Sequence, residues 1–229
     1  MNFVLRCRAP FAAFRWMQAG VWRATSPVIP PSAAWGLVLN LAHIETRAAT
    51  GDVITLIRED APRFEVAVAS LSTPEKASLY QQLHSYPVGN SGKELATRTH
   101  GSKYWIAPAR REFLVDVDFA LAVRSADPSL RDRVKDGLEG KLGEPRYGLP
   151  FAGDNNLLFD DVRLLDEVPA AHWYEKLSNE PDNRVGSCRL TIGIDRSDAA
   201  GTTSALFSPA AAASQVPGES AWVWVPKKN

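Results

Sequence analysis

The residues best suited to chemistry form one short cluster, in which His100, Lys103 and Tyr104 fall within five positions. A histidine, a lysine and a tyrosine can supply a general base, a cation and a general acid, which is the inventory of a metal-independent ribonuclease. The same groups can also hold phosphate from a solvated loop, because binding needs only positive charge and donors, while cleavage needs close alignment. The cluster therefore leaves two interpretations, a nuclease and a phosphate-binding loop.

Signatures of other enzyme classes are missing from the sequence. The chain has no HExxH, paired CxxC or GxSxG motif and no dinucleotide-binding glycine fingerprint. Residues 89–94 resemble a P-loop only faintly, since the glycine spacing is short and Glu94 stands where a P-loop has serine or threonine. Asp154, Asp160 and Asp161 could gather a divalent cation, but their places beside a turn and a strand start favour turn-forming and surface roles. We predict no metal and no cofactor.

Charge is segregated along the chain although the formal net charge is zero. Residues 1–44, the first basic segment, carry four arginines and no acidic residue. Residues 76–111, the second basic segment, carry six basic residues against Glu94 alone, whereas residues 112–167 hold seven basic and thirteen acidic residues. If folding brings the two basic segments together they form a surface for a polyanion, and if it does not, each is an ordinary solvated surface.

Aromatic rings and glycines accompany the basic residues. Single-stranded RNA is recognised by a basic surface, by rings on which unpaired bases stack, and by glycines that let backbone donors approach phosphate. The stretch GEPRYGLPFAGDNN at residues 143–156, the glycine-rich loop, supplies such donors. The rings close in sequence to an arginine or lysine are Trp16, Trp22, Tyr86, Tyr104, Trp105 and Tyr147. These features favour RNA as the ligand, although any one ring can equally be a core residue.

The elements that must position these residues follow a βαββαβ order. The pattern predicts strands at 2–8, 52–60, 63–71, 112–124 and 156–166, helices at 32–44 (capped by Ser32) and 127–142 (capped by Asp127 and ended by Gly143), a loop at 9–31, and an irregular insertion at 72–112. This order predicts an α+β, ferredoxin-like (RRM-like) domain over residues 1–167. Residues 168–229, with strands at 188–195 and 221–226, are predicted to form a β-rich C-terminal extension.

Cysteine usage and hydropathy indicate the compartment. Cys7 and Cys188 are far apart in the sequence, which favours free thiols in a reducing environment. Arginines interrupt the apolar N-terminal run, so no secretion signal is predicted, and the apolar helix at 32–44 is shorter than the roughly 20 residues of a membrane span. We predict a cytoplasmic protein without a membrane span.

Three stretches carry a resemblance to a known family. They are the opening strand with its arginines and SPVIPPSAAWGLVLNLA, the run HGSKYWIAPARREFLVDVDFALAVR that ends the basic insertion, and EPRYGLPFAGDNNLLFDDV. Together they resemble CRISPR-associated protein family 5 of the repeat-associated RNA-binding (RAMP) superfamily over most of residues 1–165. The resemblance places the family's thumb at the insertion, residues 72–112.

The resemblance implies a noncatalytic subunit of a type I CRISPR Cascade effector, similar to type I-B subunits. Such a subunit binds and caps the 5′ handle of the guide RNA (crRNA), bridges the large and backbone subunits, and meets target DNA only indirectly. The RNA-binding residues expected here are Arg6, Arg8, Arg15, Trp16, Arg23, Lys93, Arg98, His100, Lys103, Tyr104, Arg110, Arg111, Arg146, Tyr147, Gly148 and Gly153. In this interpretation the glycine-rich loop is a cradle for the handle.

Two alternatives stay open. One branch of the family cuts precursor crRNA with tyrosine, lysine and histidine, and His100, Lys103 and Tyr104 are of those types, although their order and spacing differ from that branch. The first alternative is therefore a metal-independent endoribonuclease. The second is a ferredoxin-like protein-interaction domain unrelated to this family.

Overall fold

The structure, a computed structural model, describes residues 3–19, 21–48, 56–85, 105–177 and 184–226. Over these residues the chain is a mixed α+β fold, in agreement with the predicted class, and has one eleven-stranded sheet and two α-helices. The strands are β1 (Phe3–Ala12), β2 (Arg15–Ala19), β3 (Trp22–Thr25), β4 (Phe64–Ser70), β5 (Glu75–Ser85), β6 (Trp105–Arg124), β7 (Asp161–Leu164), β8 (His172–Lys176), β9 (Cys188–Gly193), β10 (Thr203–Pro209) and β11 (Val223–Val225). The helices are α1 (Pro31–Leu41) and α2 (Leu130–Leu138).

Strand β6 is 20 residues long and joins the parts of the sheet. Residues 114–123 of β6 pair with β1 and residues 119–124 pair with β4, and both of these neighbours are antiparallel to it. Residues 105–115 pair with β5, and β3 runs parallel to β6 beside Arg110 and Arg111. We call β3, β5 and residues 105–112 of β6 the three-stranded ribbon. One continuous strand therefore connects this ribbon to the interior.

The central strands lie in the order β7–β1–β6–β4, and each pair is antiparallel. Helix α1 lies in the connection from β1 to β4, and α2 lies in the connection from β6 to β7. The C-terminal strands extend the same sheet, because β8 pairs with β4 and β10 lies between β8 and β9. Strand β11 pairs with the other end of β4.

The two faces of the sheet are covered by different partners. Alternate residues of β1, from Phe3 to Ala9, belong to the larger core together with α1. The opposite face is lined by small side chains of β4 and β6, such as Ala69 and Ala120, and is covered by Trp173 and Trp222 of the C-terminal segment. Small residues on the sheet leave room for the two indoles, as close packing of an interior requires.

Both helices differ at their ends from the sequence prediction. Helix α1 begins at Pro31 after Pro30, so Ser32 is not its cap, since a proline at the first position already has helical φ and lacks the N–H that would need capping. The helix ends at Leu41 rather than Ile44, and His43 follows with φ of 53°. Helix α2 begins at Leu130 with Ser129 at its N-cap position, so Asp127 is not the cap; Asp127 accepts hydrogen bonds from the Ser129 N–H and hydroxyl, at 2.9 and 2.7 Å, in the turn before the helix.

Helix α2 is also shorter than predicted. It ends at Leu138, and Gly140 has the positive φ (69°) typical of a glycine just beyond a helix C-terminus. Gly143 had been expected in that role. None of the helices in the described part of the chain is long and apolar enough to span a bilayer.

Two regions predicted as irregular are strands. Residues 9–31 contain the end of β1 and the β2–β3 hairpin, and the described parts of the insertion 72–112 form β5 and the start of β6, paired from Glu75↔Val115 to Ser85↔Trp105. Both were missed because long-range backbone pairing, rather than a local apolar alternation, holds these strands in place.

The predicted hairpin between 52–60 and 63–71 is wrong in its pairing. Strand β4 pairs with β6, β8 and β11, and the described end of the first run forms only an isolated bridge from Ile57 to Arg47. Residues 52–55 lie outside the described residues. The predicted C-terminal strands are present as β9 and β11, whereas β8 and β10 were not predicted.

Candidate nucleic-acid interface

A pocket lies where β2, β3, β6 and the glycine-rich loop meet. Arg15 and Arg23 reach it from the first basic segment, and Arg111 reaches it from the second. The backbone explains the convergence, because Arg15 pairs with Thr25 across the β2–β3 hairpin and Arg23 pairs with Arg111 between β3 and β6. The remaining lining residues are Ala13, Ala24, Glu112, Gly153 and Asp154.

The second half of the glycine-rich loop is fastened beside this pocket. The Ala13 N–H donates to the carbonyl of Ala152 at 2.9 Å, which holds the loop against the end of β1. Gly153 has φ of 81°, in the left-handed region that favours glycine. Asp154 accepts from the backbone and side-chain nitrogens of Asn156, both at 2.9 Å, so Asn156 is a turn former. The loop therefore presents Asp154 to β6 in a fixed geometry.

The charges in the pocket are only partly compensated. Arg111 forms an ion pair with Asp154. Glu112 accepts from the Thr25 N–H at 3.2 Å and lies 3.6 Å from the Lys76 ammonium. Neither Arg15 nor Arg23 forms an ion pair with a carboxylate of the described residues.

Arg23 carries a polar atom that the fold leaves unsatisfied. Its Nε is buried and has no hydrogen-bond partner among the described residues. A buried donor without an acceptor costs about 1–3 kcal/mol, and more when it is charged. An anion in the pocket would supply the counter-charge that Arg23 lacks in the described part of the chain, whereas the buried Nε itself is closed to solvent.

Arg6 and Arg8 lie elsewhere on β1. Arg6 binds Asp118 through two contacts, Nε to Oδ1 at 2.9 Å and the terminal nitrogen to Oδ2 at 2.5 Å, and this hydrogen bonding raises the pKa of Arg6. Arg8 Nε lies 3.9 Å from the same carboxylate. Arg6 is opposite Ala120, nine positions along β6 from Arg111, or about 30 Å of extended strand. The structure therefore does not bring these two arginines into the pocket.

The first half of the glycine-rich loop is tied to the helix ends. Arg146 donates to the carbonyl of Gly137 at 3.0 Å, at the end of α2, and to His43 Nε2 at 3.3 Å. The side-chain amide of Asn40 donates to the carbonyl of Gly148 at 3.2 Å, and the Arg47 guanidinium lies 4.9 Å from the centre of the Tyr147 ring. Arg146 thus satisfies a helix C-terminus, a structural role that the sequence interpretation did not foresee.

Arg110 and two tryptophans occupy the surface of the strands around the pocket. The Arg110 guanidinium lies 4.8 Å from the centre of the Trp22 ring, which is a cation–π contact. Trp16 on β2 is 45% exposed. The other predicted binding residues, Lys93, Arg98, His100, Lys103 and Tyr104, lie outside the described residues, and so do Tyr86 and residues 89–94.

Two of the three aspartates considered for a metal, Asp154 and Asp161, have an arginine beside the carboxylate. Asp154 is engaged by Arg111, Asp161 lies 3.5 Å from Arg163, and the Asp160 N–H donates to the carbonyl of Arg8 at 3.0 Å. Over the residues that the structure describes, no group of three or more His, Cys, Asp or Glu side chains could hold a metal ion.

Glu112 and Asp154 were not recognised as parts of a binding site from the sequence. Asp154 was weighed as a cation ligand and favoured as a turn former or surface charge, and Glu112 was seen only as the first residue of a strand. No local signal marks them, because Glu112 reaches the pocket through the pairing of β6 with β3, and Asp154 reaches it through the fastening of the loop to Ala13.

Comparisons with known proteins agree with this architecture. The chain resembles a solved chain described as "CRISPR RNA-guided surveillance complex", with a TM-score of 0.58 and 13% identity over 96% of each chain. It also matches one described as "Crystal structure of Cas protein", with a TM-score of 0.43 and 12% identity over 90% of this chain and 91% of that one. None of the curated proteins matches the chain significantly. At such low identity, the likeness to the first of these structures shows a shared fold.

The family assignment comes from the sequence. Residues 3–140 match the family model of the CRISPR-associated protein (Cas_Cas5). This match spans β1 through α2 and includes Arg15, Arg23 and Arg111 of the pocket. Because it covers more than half of the chain, the protein belongs to the CRISPR-associated Cas5 family.

Proposed function

We propose that this protein is a noncatalytic subunit of a type I CRISPR Cascade effector that binds and caps the 5′ handle of the guide RNA. The observation that carries the proposal is the meeting of the two basic segments in one pocket, where Arg15 and Arg23 lie with Arg111 beside the glycine-rich loop. Membership of the family supplies the biological setting.

The pocket suits a phosphate of a single strand. Arg15 and Arg23 offer charge that no described carboxylate neutralises, and an RNA phosphate would release counterions on binding there. Arg111 forms an ion pair with Asp154, so it lines the pocket but does not offer an unpaired positive charge. The Gly153 position brings the loop backbone close to Ala13 and so sets the width of the pocket.

The bridging part of the proposal concerns protein partners. We propose that the subunit contacts the large subunit and the backbone subunits in the cytoplasm, and meets target DNA only through the assembled complex. Support comes from exposed apolar side chains on and after the glycine-rich loop: Leu149 is 66%, Phe151 48% and Leu158 46% exposed. Apolar surface concentrated on one loop is typical of a protein contact.

We also propose that residues 1–167 form a ferredoxin-like core with residues 72–112 as the inserted thumb, and that residues 168–229 are its extension. The order β7–β1–β6–β4, with a helix in each of the two crossover connections, supports this proposal. The subtype similar to type I-B remains part of the same hypothesis.

The test of RNA binding compares arginine substitutions of equal charge. Affinity for labelled repeat-derived handle RNA is measured against salt concentration for the wild type, for Arg15→Gln/Arg23→Gln, and for the control Arg131→Gln/Arg163→Gln on α2 and β7, whose side chains are 44% and 55% exposed. Each lost phosphate contact should reduce the slope of log K against log salt by about 0.7. The Arg15→Gln/Arg23→Gln variant should lose affinity and slope, and the control neither. Equal behaviour of the two variants would refute the pocket as the phosphate site.

The noncatalytic assignment has a separate test. Purified protein incubated with labelled repeat RNA in EDTA should leave the RNA intact. Discrete cleavage that His100→Ala abolishes would establish the endoribonuclease instead.

A further inference from the structure

Three side chains form a row across the three-stranded ribbon. Arg110 of β6 is paired with Tyr80 of β5 on one side and with Trp22 of β3 on the other. Neighbouring strands lie about 4.8 Å apart, so the two aromatic residues flank the arginine with backbones separated by about 10 Å. We call Trp22, Arg110 and Tyr80 the aromatic row.

The aromatic row is exposed and its central cation is held in place. Tyr80 is 69% exposed and Trp22 is 36% exposed. The Arg110 guanidinium lies 4.8 Å from the centre of the Trp22 ring, while its Nε donates to the Ser78 hydroxyl at 3.1 Å. None of the carboxylates in the described part of the chain forms an ion pair with Arg110, so its charge remains available to a ligand.

The aromatic row and the phosphate pocket use neighbouring residues of the same strands. Trp22 and Arg110 belong to the row, whereas Arg23 and Arg111, the next residues of β3 and β6, line the pocket. Successive side chains of a strand point to opposite faces, so Trp22 and Arg110 lie on the face opposite to Arg23 and Arg111, while Glu112, on the side of the row, also lines the pocket.

We propose that the aromatic row is a second RNA contact, which stacks unpaired bases on Trp22 and Tyr80 while Arg110 attracts the phosphate backbone. The proposal rests on the proposed function in taking single-stranded RNA as the ligand. A sheet face carrying separated rings and a cation is suited to bases, because every base has a flat face and the contact tolerates any sequence.

A single-stranded nucleic acid fits this face better than a protein partner does. Tryptophan, arginine and tyrosine are enriched in protein interfaces as well, so the distinction rests on charge and polar surroundings rather than on residue types. Here the rings are separated by the Arg110 guanidinium and bordered by polar Ser78 and exposed Gln82. The neighbouring pocket adds positive charge from Arg15 and Arg23, which raises the local concentration of a polyanion.

The test measures fluorescence anisotropy of a labelled single-stranded oligouridylate with the full-length protein at low and high salt. Tyr80→Ala and Trp22→Ala should each weaken binding about 5- to 150-fold, as loss of one stacked base predicts. The salt dependence should be unchanged, because no charge is removed. Trp22→Phe, which keeps a ring, should restore much of the affinity.

Trp224→Ala is the matched control, since Trp224 is 52% exposed on β11, outside the ribbon. Thermal melting shows whether each variant is folded. If Trp22→Ala does not fold, the RNA affinity of Tyr80→Ala alone decides the test. If Tyr80→Ala binds the oligouridylate as tightly as Trp224→Ala does, base stacking on the aromatic row is refuted. If Arg15→Gln/Arg23→Gln still loses affinity in that case, the proposed function stands without it. Normal RNA affinity together with failed assembly into an effector complex would identify the row as a protein contact and overturn the proposal.

Discussion

Gly153 offers a quantitative test of how the glycine-rich loop shapes the pocket. Its φ of 81° lies in the left-handed region, and a side chain there is strained by about 1–2 kcal/mol. An added Cβ would meet the carbonyl oxygen of Ala13 and would lie 2.6 Å from Phe14 Cδ1 and 2.8 Å from the Ala13 carbonyl carbon. Because Ala13 and Phe14 are both buried, this overpacking adds about 1–3 kcal/mol.

Gly153→Ala should therefore lower the free energy of unfolding by about 2–5 kcal/mol, out of a total near 5–15 kcal/mol. For a chain of this size the melting temperature would fall by about 4–20 °C. Urea unfolding followed by circular dichroism measures the change directly. The variant should also bind handle RNA less tightly, because moving the loop away from Ala13 and Phe14 would deform the pocket that holds Arg15 and Arg23.

Gly148→Ala is the control within the same loop. Gly148 has no heavy atom within 4 Å of an added Cβ and no positive φ, so alanine there should be neutral or stabilising by about 0.4–1 kcal/mol. Equal urea midpoints for the two variants would show that Gly153 is not held against Ala13, and the description of the pocket would fail with it.

Two further predictions concern titratable groups. Burial raises the pKa of the Cys7 thiol and raises the pKa of the Cys188 thiol to about 12. Neither thiol should therefore react with a thiol reagent in the folded protein at mildly alkaline pH, and both should react after denaturation. Rapid labelling of either thiol in the native state would contradict its burial. Hydrogen bonding from Arg47 lowers the pKa of Glu45 from 4.5 to about 2, so the stability that this pair contributes is present above pH 4.5 and is lost as the pH falls toward 2. An NMR titration should find a low Glu45 pKa that returns toward its ordinary value in Arg47→Gln, and an unchanged value in the variant would exclude the pair as its cause.

The elements with a strong local pattern could be predicted from the sequence. The alternation in FLVDVDFALAVR marks the interior part of β6, and the apolar run around Trp35 marks α1. Each of these segments buries its own apolar face, so its periodicity is visible without knowing its neighbours. Arg111 and Gly153 were also found in advance, because charge and glycine content are local properties.

The arrangement of the first basic segment depended on strand register and could not be predicted. Arg8 lies directly opposite Asp118 on β6, and Arg6 reaches the same carboxylate, whereas Arg15 and Arg23 have no such acid facing them. In the sequence the four arginines look alike. The pairing of β1 with β6 shows that Arg6 and Arg8 lie beside Asp118, whereas Arg15 and Arg23 form no ion pair among the described residues. The ribbon was missed for the same reason, since β3 gains its place from a parallel neighbour far along the chain.

The uninterrupted course of β6 has a mechanical consequence for the subunit. Arg110 at the surface and Leu121 in the interior belong to one strand, with no loop between them. Between these two residues only Asp116, with φ of 55°, departs from the extended backbone. A nucleotide bound near Arg110 would restrain the same strand that pairs with β1 and β4 in the interior. If single-stranded RNA binds at the outer end of β6, as proposed, we expect it to raise the melting temperature of the whole chain rather than to stabilise the ribbon alone.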